Sequence, residues 1–449
     1  MTRRGVLGIR INHPAQLVVV AYGVAIFTGT GLLMLPIATQ APGGSGALTA
    51  LFTSTSAMCV TGLIVVDTPT YWSGFGQAVI LGLIQLGGFG IMTLASLAAV
   101  VISHRLGLRS RMLAQAETGG IDLGDVRRII AGVAVFTVAF EVAAAVGLTI
   151  SFWIGHDEPF LRAVWLGGFH AVSAFNNAGF ALFSDNLIGF VTDPVVTIVI
   201  AVAVIFGGLG FPVWLELRRE PGRPQRWSLH TKITVSATAL LLVVGTVAVL
   251  AFEWGNPSTL GPLDAPGKAL AAFFTGTMPR TAGFNTVDIA TTYEPTQLLT
   301  ILLMFIGGGS ASTAGGIKVT TIALIGYMVW AELRGDPDVS RYGRRIPPTA
   351  QRQALSVAII GLGALFTANV LLLGFSPFGL ADTLFEATSA FGTVGLSTGI
   401  TPLLDGPSQG VIIVLMFVGR VGTLTLGTAL VLREQERLFR FPEERPLVG

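Results

Sequence analysis

Long stretches without charge constrain this chain more than anything else in it. Residues 78–102, 194–215, 233–252 and 353–374 contain no Asp, Glu, Lys or Arg. Each is long enough to cross a hydrocarbon core of about 30 Å as a helix. In lipid a lone segment must satisfy its own peptide groups, and helix is the state in which one segment can do so. Only 12% of the 449 residues are charged, against about 25% in a soluble domain. Arg3, Arg4 and Arg10 precede the first apolar segment in the manner of a signal peptide. That segment is longer than a signal core of about 7–15 residues, and many more follow, so it reads as a retained helix.

Hydropathy predicts eight spans, at 15–36, 76–103, 128–154, 194–217, 231–253, 296–332, 350–374 and 408–432. Within each pair lies a shorter apolar stretch of about 10–14 residues, too short to cross and suited to a re-entrant helix. Charge sorting agrees with this count. Of the 27 Lys and Arg residues, all but Arg162, Lys268, Arg280, Lys318 and Arg420 fall in the two tails or after spans two, four and six. The positive-inside rule makes that side, and both termini, cytoplasmic. Asp67, Asp157, Glu158, Asp185, Asp193, Asp288, Glu294 and Asp405 fall on the other side. The net charge of +2 therefore reflects topology and not a nucleic-acid partner. The one cysteine, Cys59, excludes a disulfide within the chain, and the five scattered histidines lack metal-ligand spacing. No Ser/His/Asp or metal cluster supports an enzyme, and no cofactor is expected.

One pattern occurs four times: Phe, three residues, Ser or Thr, five residues, Gly. The copies are Phe52/Ser56/Gly62, Phe169/Ser173/Gly179, Phe273/Thr277/Gly283 and Phe385/Ser389/Gly395. In a chain with 28 Phe and 57 Gly among 449 residues, chance would give such a match less than once. A second glycine cluster follows each copy, beginning at Gly87, Gly207, Gly307 and Gly419. The expected fold is an all-α membrane protein of four tandem span, re-entrant pore helix, span repeats around a pseudo-fourfold pore, with eight transmembrane spans. The repeats are residues 1–104, 105–217, 218–333 and 334–449, the last with a cytoplasmic C-tail.

The loop after each short helix reads Val60-Thr61-Gly62, Asn177-Ala178-Gly179, Thr281-Ala282-Gly283 and Thr393-Val394-Gly395. Irregular backbone at membrane depth must line water or protein. Glycine permits positive φ, so four such loops can present rings of carbonyl oxygens that replace an ion's hydration shell. The short helices would aim their partly negative C-termini at the pore, which favours cations. The alternative is that each glycine only permits close helix packing.

The strings FTSTSAMCVTGLIVVDT, FHAVSAFNNAGF, FFTGTMPRTAGFNT and FEATSAFGTVGLSTG resemble the Trk/Ktr/HKT superfamily of K⁺ transporters. Eight spans without an extra N-terminal pair are most similar to its KtrB branch, the membrane subunits of bacterial Ktr systems. The resemblance implies K⁺ uptake across the plasma membrane, with K⁺ held by backbone carbonyls at the four loops above. It also implies a response to Na⁺, a homodimer in the lipid bilayer, and a cytosolic nucleotide-binding ring similar to KtrA. The loops differ from the TVGYG of tetrameric K⁺ channels, so selectivity is expected to be less strict.

Span six is interrupted by Gly307, Gly308, Gly309, Ser310, Gly315 and Gly316, ending at Lys318. Glycine at that density disfavours helix by about 1 kcal/mol per residue relative to Ala. A phosphate-binding loop would need Gly-Lys-Ser/Thr after a strand, and here Ile317 separates Gly316 from Lys318. The resemblance assigns residues 307–318 to an intramembrane gating loop; a kinked helix is the plain alternative. Arg420 lies deep in span eight, where insertion costs at least about 2.5 kcal/mol and calls for a cavity or a partner; by resemblance it belongs near the gate. Glu141, central in span three, is expected to pair between helices, Arg280 to brace the third loop, and Cys59 to fill space. The rival function is a secondary cation symporter with alternating access, favoured by the broken span but not by four parallel copies.

Overall fold

The computed structural model describes residues 14–105 and 126–422, with side chains over 18–93 and 130–422. The N-terminal arginines, residues 106–125 and everything from 423 onward lie outside the described residues, including the tail charges behind the orientation and the end of the eighth expected span.

Regular secondary structure in the described residues is helical apart from one hairpin of two-residue strands, Ser340–Arg341 with Arg344–Arg345. Its helices fall into four groups. The first is α1 (Pro14–Leu33), α2 (Ala47–Met58) and α3 (Gly74–Arg105). The second is α4 (Val126–Ile150), α5 (Phe160–Phe175), α6 (Pro194–Leu209) and α7 (Phe211–Arg219). The third is α8 (Leu229–Glu253), α9 (Ala265–Thr277), α10 (Glu294–Phe305) and α11 (Val319–Arg334). The fourth is α12 (Pro348–Phe375), α13 (Leu380–Gly392) and α14 (Gly406–Phe417).

Among the described residues four helical stretches are long and apolar enough to cross a membrane: Gly74–Thr93, Ile130–Gly155, Leu229–Glu253 and Pro348–Phe375. A fifth counts if the bent pair α6 and α7 is one span. The remaining apolar helices, Val18–Leu33, Phe160–Phe175, Glu294–Phe305 and Gly406–Gly422, are shorter. Sequence alone places a continuous span at 194–217. The structure corrects this: α6 and α7 meet at 97°. Gly210 between them has φ +92°, a value that favours glycine, and Pro212 can start a helix but not continue one. The bend is filled by aromatic rings. Trp214 stacks on Phe206 with centroids 4.0 Å apart, and its indole N–H donates to the Phe206 carbonyl at 2.9 Å. The second short helix, α5, has 16 residues and so exceeds the expected length.

Aspartates cap several of these helices. Asp193 Oδ1 accepts from the Val195 and Val196 N–H groups at the start of α6, and Asp264 and Asp405 cap α9 and α14 in the same way. In the first, second and fourth groups the short helix packs against both longer partners. The third departs from this pattern: α9 packs mainly on α8, and α10 packs on α13 of the fourth group.

Candidate functional site

Each of the four sequence motifs ends one of the short helices α2, α5, α9 and α13, and the backbone then changes hand twice. Val60, Asn177, Thr281 and Thr393 have φ of 57°, 60°, 71° and 48°, and Gly62, Gly179, Gly283 and Gly395 have φ of 90°, 70°, 72° and 96°. A non-glycine residue at such φ is sustained only where its surroundings hold it there. In copies one, two and four the hold is the same. The N–H of Thr61, Ala178 and Val394 returns to the carbonyl of Ser56, Ser173 and Ser389, at 2.7, 2.7 and 2.8 Å. The Ser56 and Ser389 hydroxyls also accept from Gly62 N–H at 3.0 Å and Gly395 N–H at 3.1 Å. The motif serine is therefore a brace, a role the sequence pattern marks without explaining. In copy three Ala282 N–H bonds to Met278 instead, and Thr277 donates back into its own helix.

The four loops touch one another in chain order and close into a ring. A Cβ added at Gly62 would collide with the Ala178 carbonyl oxygen, one at Gly179 with that of Ala282, one at Gly283 with that of Val394, and one at Gly395 with that of Thr61. Each would also come within 3.0–3.2 Å of the next loop's glycine Cα. The residue before each glycine thus sets its carbonyl against the neighbouring loop, four times around. The second glycine clusters make room for the helix ends: Gly87, Gly207 and Gly419 admit the carbonyls of Met58, Phe175 and Phe391. Gly307 has no such partner and lies against Gly315 and Ile317 of its own segment.

That segment, residues 306–318, leaves helix between α10 and α11. It is pinned at its neck by Gly307 N–H to Ile317 O at 2.8 Å and Val319 N–H to Gly308 O at 2.9 Å. It lies across the ring's neighbours. Gly309 N–H donates to Gly208 O at 2.8 Å, Thr313 N–H to Gly207 O at 3.2 Å, and the Thr313 hydroxyl to Phe175 O at 3.1 Å. Only one orientation of the Asn177 amide suits its surroundings, with nitrogen 3.2 Å from Val204 O, Phe175 O and Thr313 Oγ1. On the other side Gly315 abuts Thr393, and Gly316 faces Gly392. Ser310 and Thr320 hydroxyls share a bond of 3.2 Å, and Lys318 Nζ donates to Ala314 O at 2.6 Å. Arg420 is 2% exposed within a π-helical turn, Val418–Gly422, a distortion that often accompanies functional sites. Its Nη1 donates to Thr313 O at 2.5 Å and its Nη2 to Gly87 O at 3.4 Å. One guanidinium therefore joins the first and fourth groups to the segment of the third.

The family profile described as "TrkH: Cation transport protein" matches residues 2–441. The chain belongs to the TrkH family of cation transport proteins. It is 40% identical over 436 residues to the Ktr system potassium uptake protein B of Bacillus subtilis, with 97% of each chain covered. It is 39% identical to the protein of that name from Vibrio alginolyticus, covering 93% of this chain and 91% of that one. It is 34% identical to the potassium/sodium uptake protein NtpJ of Enterococcus hirae, with 97% of each covered. The crystal structure of the potassium transporter TrkH from Vibrio parahaemolyticus has the same fold, with a TM-score of 0.74 at 20% identity over 96% of this chain and 87% of that one. With its apolar helices, this TrkH-family chain is a multi-pass membrane protein.

Behind the ring, the TrkH-family chain carries further polar contacts, of which only the inter-helix pairing of Glu141 is expected from the sequence. Glu141 accepts from Gln85 of α3 at 3.2 Å and from Asn176 at 2.9 Å, an inter-helix pairing beside the second loop. His170, buried, bonds Leu166 O at 2.7 Å and accepts from Leu182 N–H at 3.2 Å. Glu386 holds the equivalent place in copy four, one residue after the motif Phe. It accepts from Thr401 and, at 2.9 Å, from Ser397. Both tie a short helix to the strand of chain that leaves its loop. The signal for them is their shared offset from the motif. Cys59 is buried among apolar neighbours.

Proposed function

We propose that this protein takes up K⁺ across the plasma membrane through a channel-like pathway. K⁺ sheds water at a filter made by the carbonyls of Val60, Thr61, Gly62, Asn177, Ala178, Gly179, Thr281, Ala282, Gly283, Thr393, Val394 and Gly395. The observation that carries this reading is the closed ring in which each loop's penultimate carbonyl meets the next loop's glycine. An ion stripped of water needs several oxygens converging at once, and a ring of four backbone loops supplies them without charged side chains. Segment 307–318 with Arg420 is the gate: two cationic side chains, Lys318 and Arg420, hold it by its own carbonyls, and their charge repels a cation on the axis. The names of the relatives from Bacillus subtilis and Vibrio alginolyticus support K⁺ as the substrate, and that of the Enterococcus hirae relative supports a place for Na⁺.

The reading extends to the assembly. Four repeats, 1–104, 105–217, 218–333 and 334–449, supply eight spans with both termini in the cytoplasm. The active form is a homodimer in lipid, opened by a nucleotide-binding ring similar to KtrA, with uptake dependent on Na⁺. The deciding experiment is uptake of K⁺ and of Na⁺ by cells that lack their own K⁺ uptake, with and without this chain, across a series of external Na⁺. Restored growth at low K⁺, with flux that follows the K⁺ gradient in proteoliposomes, is the expected result. Flux that requires a second ion moving in fixed ratio would replace the filter with alternating access.

A further inference from the structure

Two arginines are buried near segment 306–318; the Nε of each has no partner, and Arg280 is the more weakly bonded of the two. Arg280 is 7% exposed, on the third loop. Its two contacts are long: Nη1 to Thr238 O at 3.4 Å and Nη2 to Thr238 Oγ1 at 3.3 Å, and Nε has no partner. It makes no ion pair among the described residues. A guanidinium has five donors, so most of its capacity is unused at membrane depth, where unpaired donors are disfavoured. Arg280 also lines a small cavity with Thr238, Thr277, Gly208 and Gly308. Gly208 is the residue whose carbonyl accepts from Gly309 N–H, and its neighbour Gly207 accepts from Thr313 N–H.

We propose that Arg280 is the replacement donor for the end of α6 when the segment withdraws. The proposal rests on the gating reading above. Withdrawal takes Gly309 and Thr313 away and strips Gly207 and Gly208 of their donors, next to the break at Gly210. A buried carbonyl left unpaired opposes that movement. The Arg280 guanidinium, across the shared cavity, exchanges its weak hold on Thr238 for the Gly208 carbonyl. Arg420 thus holds the closed arrangement and Arg280 lowers the barrier to leaving it. The third copy's departures fit this role: its loop is built differently from the other three, and the segment lies between its helices α10 and α11.

The test is ⁸⁶Rb⁺ flux into proteoliposomes at matched amounts of monodisperse protein, with K⁺ over Na⁺ discrimination measured beside it. The variants are Arg280→Met and Thr238→Val, each in the full chain and in a chain with residues 309–315 replaced by a short linker. Arg280→Met is expected to lower flux on the order of tenfold, the worth of about one hydrogen bond, with discrimination unchanged and with no effect in the shortened chain. Thr238→Val removes the Oγ1 acceptor and leaves only the backbone carbonyl, so it loosens the guanidinium and is expected to raise flux a few-fold, whereas a mere brace would be weakened by either change. Equal loss from Arg280→Met in both backgrounds, a fall in discrimination, or a fall in flux with Thr238→Val overturns the proposal. If shortening the segment does not itself raise flux, the gating reading fails, and this inference fails with it.

Discussion

The ring of loops and the segment that crosses its neighbours are built by different means. The ring exists four times, uses backbone groups, and is fixed by positive φ and by the absence of Cβ atoms. The segment exists once among the described residues; besides backbone bonds at its neck and to Gly207 and Gly208, it is held by the side chains of Thr313, Asn177, Lys318 and Arg420. A backbone ring admits no partial occupancy, because moving one loop removes a contact from each neighbour. A segment held by a few backbone and side-chain hydrogen bonds, each worth about 1 kcal/mol net, can leave and return. On the reading proposed above, the difference suits a part that discriminates and a part that moves.

The strongest way to break this comparison is to add a methyl group to the ring. Gly62→Ala, Gly283→Ala and Gly395→Ala each drive a Cβ into a neighbouring carbonyl, and positive φ adds about 1–3 kcal/mol of backbone strain. Uptake of K⁺ is expected to fall by at least about a hundredfold, roughly the effect of 3 kcal/mol. Gly179→Ala should be the mildest, since its Cβ meets the Ala282 oxygen at 2.8 Å and the Gly283 Cα at 3.0 Å. Equal tolerance of all four in a K⁺ uptake assay would show that the ring does not bear on selectivity.

A smaller and opposite effect is expected at the segment. Arg420→Ala removes its bonds to Thr313 O and Gly87 O and should raise ⁸⁶Rb⁺ flux about tenfold without a nucleotide-binding partner, the worth of one charged hydrogen bond. Arg420→Lys keeps the charge but loses the forked geometry, so it should fall between. In a chain already shortened across 309–315, Arg420→Ala should add nothing. A folded Arg420→Ala protein that transports no faster than the parent would leave Arg420 as a structural tie between groups.

The two regions also differ in how far the sequence revealed them. The motif positions were legible because geometry favours particular residues there: glycine at φ of 70° to 96° in all four copies, a serine hydroxyl accepting from the loop glycine in copies one and four, and phenylalanine buried in copies one, two and four. The interruption at 307–316 was legible from glycine density alone. The bend at Gly210 was not, since a single glycine and a proline within an apolar run resemble any packed span until the aromatic rings that fill the bend are placed. The Gln85, Glu141 and Asn176 pairing joins residues 91 positions apart, and no local pattern predicts which amide meets a given carboxylate. The irregular third copy was hidden because its motif letters match the others while its hydrogen bonds do not.

The finest test of the comparison lies where the two regions meet, at Thr313. Its hydroxyl donates to Phe175 O, at the end of the second short helix, and accepts from the Asn177 amide, which belongs to the second loop. Its carbonyl and N–H hold Arg420 and Gly207 independently of the side chain. Thr313→Val keeps the shape and removes only the hydroxyl's bonds. Asn177 retains the Val204 and Phe175 carbonyls as acceptors, so the loop keeps its place. If ring and segment are separate devices, the loss of about 1 kcal/mol falls on the segment. Flux of ⁸⁶Rb⁺ should then rise about fivefold, K⁺ over Na⁺ discrimination should stay unchanged, and Thr313→Ser should restore the parent flux. Discrimination that falls while flux stays level would mean that Thr313 serves the ring, and that the segment and the four loops work as one body.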